Sequence, residues 1–354
     1  MDEGGSSLKK LLSLVLVVVM LLALASFAFA AGTITWGGNL RFWYIDSQGP
    51  TNSESTFQFD RFALTFKDAF SDHDGVSAEL QWRNFAGNDT AWDSTASKNV
   101  GTKQARLDSG YYYYDGLLGK GDELRIGAVA NLPFRLGLSK NCNFVDTGLG
   151  SKLKVGNSVG IWYEMDADRY TVGLGVVNAN DKDINNAADS KEGLSYSVRL
   201  DAGKNFFGVI PGLRLGGGYN HKQTGMHDNY TTNKVIDIAY VGSAFWASAE
   251  KAYSTVTASG IDAACQTGMY FEAGINVGKS KIWAGRLIQD AQNPLKDVIY
   301  KDNLASGNMI TGIKNGNIVA AIIPILSSSD LQFQYIVGDQ DTGKEFDLRY
   351  QVKF

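Results

Sequence analysis

The sequence predicts an all-β fold, a transmembrane antiparallel β-barrel of about sixteen strands behind an N-terminal signal peptide. Three observations carry this reading. Strand-length segments alternate apolar and polar residues, short and long breaks between them take turns, and past the N-terminal segment no apolar run approaches the length of a membrane-crossing helix.

The alternation comes first. Val76, Ala78, Leu80 and Trp82 fall on one face, and Ser77, Glu79, Gln81 and Arg83 on the other. Leu194, Tyr196, Val198 and Leu200 alternate with Ser195, Ser197, Arg199 and Asp201, and Phe346, Leu348, Tyr350, Val352 and Phe354 with Glu345, Asp347, Arg349, Gln351 and Lys353. Period two with one apolar face is the signature of a strand.

A soluble sandwich alternates too, so the breaks decide. Short ones fall at residues 71–75, 116–122, 166–168, 241–243, 278–279 and 327–330. Long ones fall near 87–104, 133–152, 180–192, 221–233, 257–266 and 290–306. Strands of about ten residues, joined by short turns at one end and long loops at the other, describe a barrel in an outer membrane. The stretch 308–326 reads as one long strand or two. Closure has a physical reason: in hydrocarbon an unpaired backbone N–H or C=O costs several kcal/mol, so no sheet edge faces lipid. The final aromatic strand, ending on Phe354, is similar to the signal that outer-membrane assembly machinery reads.

Composition agrees. Gly is abundant (40) and Pro scarce (5) among 354 residues, and aromatics make up 12%. That mixture favours aromatic strands and tight turns. Mean hydropathy is -0.15, far too low for a helical membrane protein but natural for a wall that shows lipid only alternate residues. A net charge of -4 gives no electrostatic reason to expect a nucleic-acid partner.

At the N-terminus Lys9 and Lys10 precede an apolar run over 11–24, and Ala28-Phe29-Ala30 supplies a small-x-small cleavage pattern. The expectation is a signal peptide over 1–30 and one barrel domain over 31–354, although Asp2 and Glu3 ahead of the lysines are unusual. Cys142 and Cys265, both in segments read as loops, could pair in an oxidising compartment; the sequence gives no distance between them.

Several segments resemble the phosphate-selective porins O and P. Glu123-Leu124-Arg125-Ile126-Gly127 followed by Leu132-Pro133-Phe134 is similar to a strand and Pro-Phe turn of that family. Residues 155–161 with Val176-Val177-Asn178 resemble its next hairpin, residues 246–250 its strand bearing a Glu, residues 269–274 a further strand, and residues 348–354 its closing strand. The resemblance runs over most of 120–354. It implies a sixteen-stranded, usually trimeric outer-membrane channel with a loop folded into the lumen. Phosphate selectivity needs a ladder of basic residues, which cannot be matched here residue by residue.

If apolar faces look outward, the pore lining includes Arg61, Arg83, Arg106, Arg125, Arg199, Arg214, Arg286 and Arg349, with Glu79, Glu250 and Glu272 among the acids. Opposed charges in a lumen set up a transverse field that favours polar solutes. The segment 133–154 is the candidate constriction, and its Arg135, Lys140, Lys152 and Lys154 against Asp146 would give a weak anion preference. Of the aromatics, Trp36, Phe42, Trp43, Tyr44, Trp162, Tyr163, Tyr170 and the run Tyr111 to Tyr114 read as interfacial girdle, with a sugar-stacking track on Tyr111 to Tyr114 as the alternative. His73, His221 and His227 form no evident nucleophile–base set, so no catalysis, metal or other cofactor is expected. The partners are then membrane lipid and small polar solutes or ions, crossing passively. The alternative is a barrel with a surface or structural role that conducts nothing.

Overall fold

The computed structural model describes residues 34–48, 53–83, 90–93, 98–101, 106–129, 158–167, 170–178, 193–202, 210–223, 229–258, 261–289, 315–339 and 343–354. The strands are β1 (Thr35–Gln48), β2 (Ser53–Ala69), β3 (Asp74–Arg83), β4 (Thr90–Asp93), β5 (Lys98–Gly101) and β6 (Arg106–Asp115). They continue as β7 (Asp122–Val129), β8 (Ser158–Asp166), β9 (Tyr170–Asn178), β10 (Leu194–Ala202), β11 (Leu213–Gln223) and β12 (Tyr230–Val241). The last are β13 (Phe245–Ala258), β14 (Ile261–Val277), β15 (Ser280–Gln289), β16 (Gly316–Leu326), β17 (Ser329–Gly338) and β18 (Lys344–Lys353).

All but β4 and β5 form one closed antiparallel barrel of sixteen strands in chain order; β4 and β5 pair with each other in the connection from β3 to β6. β1 closes the cylinder against β18, from Asn39 opposite Lys353 to Gln48 opposite Lys344. At the seam the Gly38 amide donates to the Phe354 carbonyl (2.9 Å) and the Phe354 amide donates back to Gly38 (3.2 Å). The Phe354 ring stacks near Phe62, with centroids 6.2 Å apart. No sheet edge is left for lipid to desolvate.

Burial shows which face is turned inward. Along β10, Ser195, Ser197, Arg199 and Asp201 are each at most 5% exposed, while Leu194, Tyr196, Val198 and Leu200 are 38–60% exposed. β12 repeats this, with Asn233, Val235, Asp237 and Ala239 buried and Ile236 and Ile238 exposed. A soluble protein would hide the apolar face; here the polar face looks into the cylinder and the apolar face outward, which suits a hydrocarbon surround. No helix among the described residues is long and apolar enough to cross a membrane.

All six short breaks fall between paired strands. The tightest, between Val277 and Ser280, has Gly278 at φ 62°, a left-handed conformation that glycine adopts without strain. Three boundaries differ from the sequence reading. Of the expected break 221–233, residues 221–223 belong to β11 and 230–233 to β12, and 221–223 pair with 230–232. Residues 257–266 are not a long break: β13 and β14 run on until only 259–260 separate them, with a register shift at Val256/Thr257. Cys265 therefore lies in β14 opposite Thr255 rather than in a loop, and Cys142 lies outside the described residues. The small and hydroxyl residues of this stretch blur the alternation without ending the strand. The ambiguous 308–326 contains a single described strand, Gly316–Leu326, with Pro324 displaced to its end beside a register shift.

Candidate functional site: the inner wall

The inner face holds the candidate site because every polar side chain the strands turn inward converges there. Its best-defined element spans β10, β11 and β12. Arg199 donates from Nε to Asp201 Oδ2 (2.9 Å), from Nη1 to Asp237 Oδ2 (2.7 Å) and from Nη2 to Asp237 Oδ1 (2.8 Å), and its Nη2 also meets Asp201 Oδ1. The register explains the reach. Asp201, Gly216 and Asp237 stand opposite one another on successive strands, so the middle strand presents no side chain. A Cβ at Gly216 would collide with Asp201 Oδ1 and lie 2.5 Å from Arg199 Nη2.

Other wall charges follow the same pattern of local pairing. Arg61 on β2 binds Glu79 on β3, and Gln81 donates to the same carboxylate. Arg125 binds Glu123 and lies 4.1 Å over the Trp162 ring and 4.9 Å over Tyr111. Arg349 lies 4.4 Å over Trp43. Glu272 accepts from Ser248 Oγ (2.9 Å) and Tyr270 Oη (3.1 Å). Glu250 is buried between Asp237 and Tyr270 in the adjoining registers. Arg214 takes an inner position two residues before Gly216.

The structure thus turns Arg61, Arg125, Arg199, Arg214, Arg349, Glu79, Glu250 and Glu272 to the inside. Arg286 is different. It pairs in register with Phe271 and Asn317, whereas its neighbour Leu287 shares the inner row with buried Tyr270. Arg286 sits on the outer face near the long-loop end and holds Asp339 through two hydrogen bonds of 2.7 and 2.5 Å. The error has a cause: Trp283 and Leu287 make the inner face of β15 as apolar as its outer face, so the alternation loses its phase. Arg83 and Arg106 occupy register positions opposite Arg61 and Gln81, but their side chains are outside the described set. Arg135, Lys140, Lys152 and Lys154 also lie outside the described residues.

Aromatic residues supplied the feature that sequence reading missed. Trp246 and Trp283 are inner-face residues at the short-turn end, 7% and 2% exposed, with ring centroids 6.4 Å apart, and they pack with Ala320 and Ile322. Gly274 between them has no room for a side chain: a Cβ there would stand 2.6 Å from the Trp246 ring and 2.8 Å from Trp283 Cβ. The run Tyr111 to Tyr114 divides. Tyr111 and Tyr113 turn inward, Tyr111 packing with Val129, Trp162 and Val177, while Tyr112 and Tyr114 turn outward opposite Ile126 and Leu124. Trp162 and Trp43 also face inward, unlike the exposed Trp36 and Tyr170. Among the histidines, His221 stacks on the outer face with Tyr196 (5.1 Å) and Tyr230 (4.5 Å).

With the architecture in hand, comparison with solved structures is informative. The chain is similar to a triple mutant of Rhodopseudomonas blastica porin, with TM-score 0.59 and 10% identity over 91% of this chain and all of that one. It is similar to Salmonella typhi OmpF in complex with daunomycin, with TM-score 0.61 and 9% identity over 92% of this chain and 98% of that one. It is also similar to a structure described as showing asymmetric conductivity of engineered proteins, with TM-score 0.60 and 10% identity over 91% of this chain and all of that one. The likeness is one of fold. No protein-family model and no curated relative matches the sequence, so the resemblance to phosphate-selective porins O and P rests on its short motifs alone.

Proposed function

We propose that this chain is a bacterial outer-membrane porin through which small polar solutes and ions diffuse passively. The observation that carries the reading is the inverted barrel, with sixteen strands closed without an edge, an apolar exterior and a charged, hydrogen-bonded interior. A barrel of this strand number encloses an interior wide enough for water. The neighbours include porins and a protein named for conductivity, and the fold they share is compatible with the same work here. The reading includes a cleaved export segment over 1–30, a barrel domain over 31–354, surrounding lipid as partner and a homotrimeric assembly.

Selectivity follows from charge. A phosphate-selective ladder would need cations free to hand an anion along; Arg61, Arg125 and Arg199 are instead committed to Glu79, Glu123 and the Asp201–Asp237 pair. On this reading a weak anion preference comes chiefly from Arg135, Lys140, Lys152 and Lys154. Removing those four charges should shift the reversal potential in a salt gradient toward cations; an unchanged potential ends that part of the proposal.

One observation favours a second reading, a barrel that conducts nothing and serves a structural or surface role. The inner-face Trp246 and Trp283 are closed to water, so at least that sector is filled. Proteoliposomes separate the two. A porin admits small neutral sugars and slows with solute size, whereas a filled barrel leaves the vesicles osmotically intact.

A further inference from the structure

Lys234 and Lys251 place two cations on the apolar outer wall of the barrel. Each sits between buried inner-wall residues, Asn233 and Val235 for one and Glu250 and Ala252 for the other, and each is itself exposed on the outer face. Lys234 stands opposite Tyr219 and Tyr253, and Lys251 opposite Ile236 and Met269, which makes the two lysines diagonal neighbours on β12 and β13. The Lys251 ammonium lies 5.2 Å from the Tyr253 ring centroid. Among the described residues neither lysine meets a carboxylate. The contrast is Arg286, another cation of this outer face, which is tied to Asp339.

Their height on the wall is defined by aromatic pairs. Tyr240 and Phe245, 4.9 Å apart, mark the short-turn interface. Lys251 is six residues above Phe245, about 15 Å along the axis for a strand tilted by about 40°, within an apolar band about 25 Å tall. Tyr219 stands beside Lys234, and from it a ring stack of Tyr196, His221 and Tyr230 runs up the long-loop side. Long lysine stems let the ammonium groups rise to that upper interface. The surface below is aliphatic, with Ile236 and Ile238 at 60% and 47% exposure.

Two cations with no carboxylate beside them among the described residues, set between aromatic rings and aliphatic wall, form a complementary outline: an anionic phosphate for the ammonium groups and acyl chains for the isoleucines. We propose that Lys234 and Lys251 bind the phosphate of a phosphorylated lipid in the outer leaflet. The site belongs to the lipid-facing wall and is independent of whether the lumen conducts.

The test uses the full barrel in phosphatidylcholine nanodiscs containing phosphatidic acid as probe, with bound lipid counted by native mass spectrometry. The wild-type chain should retain phosphatidic acid. K234Q/K251Q should lose about tenfold of that retention, and K234R/K251R should keep it. Retained heat-modifiable migration on a gel shows that the variants are folded, and solute uptake should be unchanged in both. Equal retention by the glutamine variant overturns the proposal. Displacement of the lipid by inorganic phosphate at matched concentration overturns it in favour of a free-anion site. A change of subunit number in the glutamine variant, with lipid retained, overturns it in favour of a contact with a second copy.

Discussion

Asp201 and Asp237 stand at one level of the inner wall, two strands apart, and Arg199 binds both across the bare backbone of Gly216. Two carboxylates that would repel are held together by one guanidinium, in a site where Arg199 is 3% exposed. Glycine at 216 is what lets the side chains meet.

Removing the cation should therefore cost more than an ordinary surface ion pair. R199A leaves two buried carboxylates facing each other and should destabilise the barrel by about 3–5 kcal/mol. G216V should act in the same direction by displacing the same groups. Urea midpoints of the refolded protein in lipid vesicles measure both. A midpoint shift in R199A no larger than that of an exposed pair, about 1 kcal/mol or less, would show that the network does not hold the wall.

The orientation of the two faces can be tested by charge placement. I236R puts a cation into the aliphatic part of the outer wall and should destabilise by about 2–4 kcal/mol. K67E changes an inward residue near the short-turn mouth and should leave stability nearly unchanged while altering ion preference. Reversed effects would turn the barrel inside out.

The Arg286–Asp339 pair gives a pH signature. The Arg286 guanidinium holds the Asp339 carboxyl below its ordinary value, chiefly through the hydrogen bonds between them. A carboxyl lowered on folding stabilises the native state above its unfolded pKa, and that stabilisation is lost as pH falls through the lower folded value. D339N should accordingly weaken protection of the β15 and β17 ends against hydrogen exchange at neutral pH. The difference from wild type should vanish below the ordinary aspartate range. A difference that persists in strong acid would assign the effect to something other than this pair.

The tryptophan cluster predicts a packing defect. W283A should leave a cavity against Trp246 and Ala320 and cost about 3–5 kcal/mol, while G274A should push the two rings apart and shift the tryptophan emission toward the red. Unchanged emission and stability would show that the rings do not depend on each other.

Much of this architecture is legible in the sequence, and strand assignment fails where the two faces of a strand are alike. Period two and the short turns place the strands where Ser195–Asp201 or Glu345–Lys353 alternate cleanly, because there one face meets lipid and the other meets polar groups. Where both faces are apolar, as around Trp283 and Leu287, alternation cannot say which is inside, and Arg286 was assigned to the wrong face. Where both are small and hydroxylated, as around Cys265, the strand looks like a loop. The Arg199 bridge was invisible for another reason: it depends on Gly216 lying opposite Asp201 and Asp237, a register fact that no single strand records.

The central claim, a wet lumen running through an apolar-walled cylinder, is tested most directly in a planar lipid bilayer. Purified protein should insert with discrete current steps that are linear in voltage and scale with bulk salt conductivity. A correctly folded barrel that remains electrically silent would contradict it.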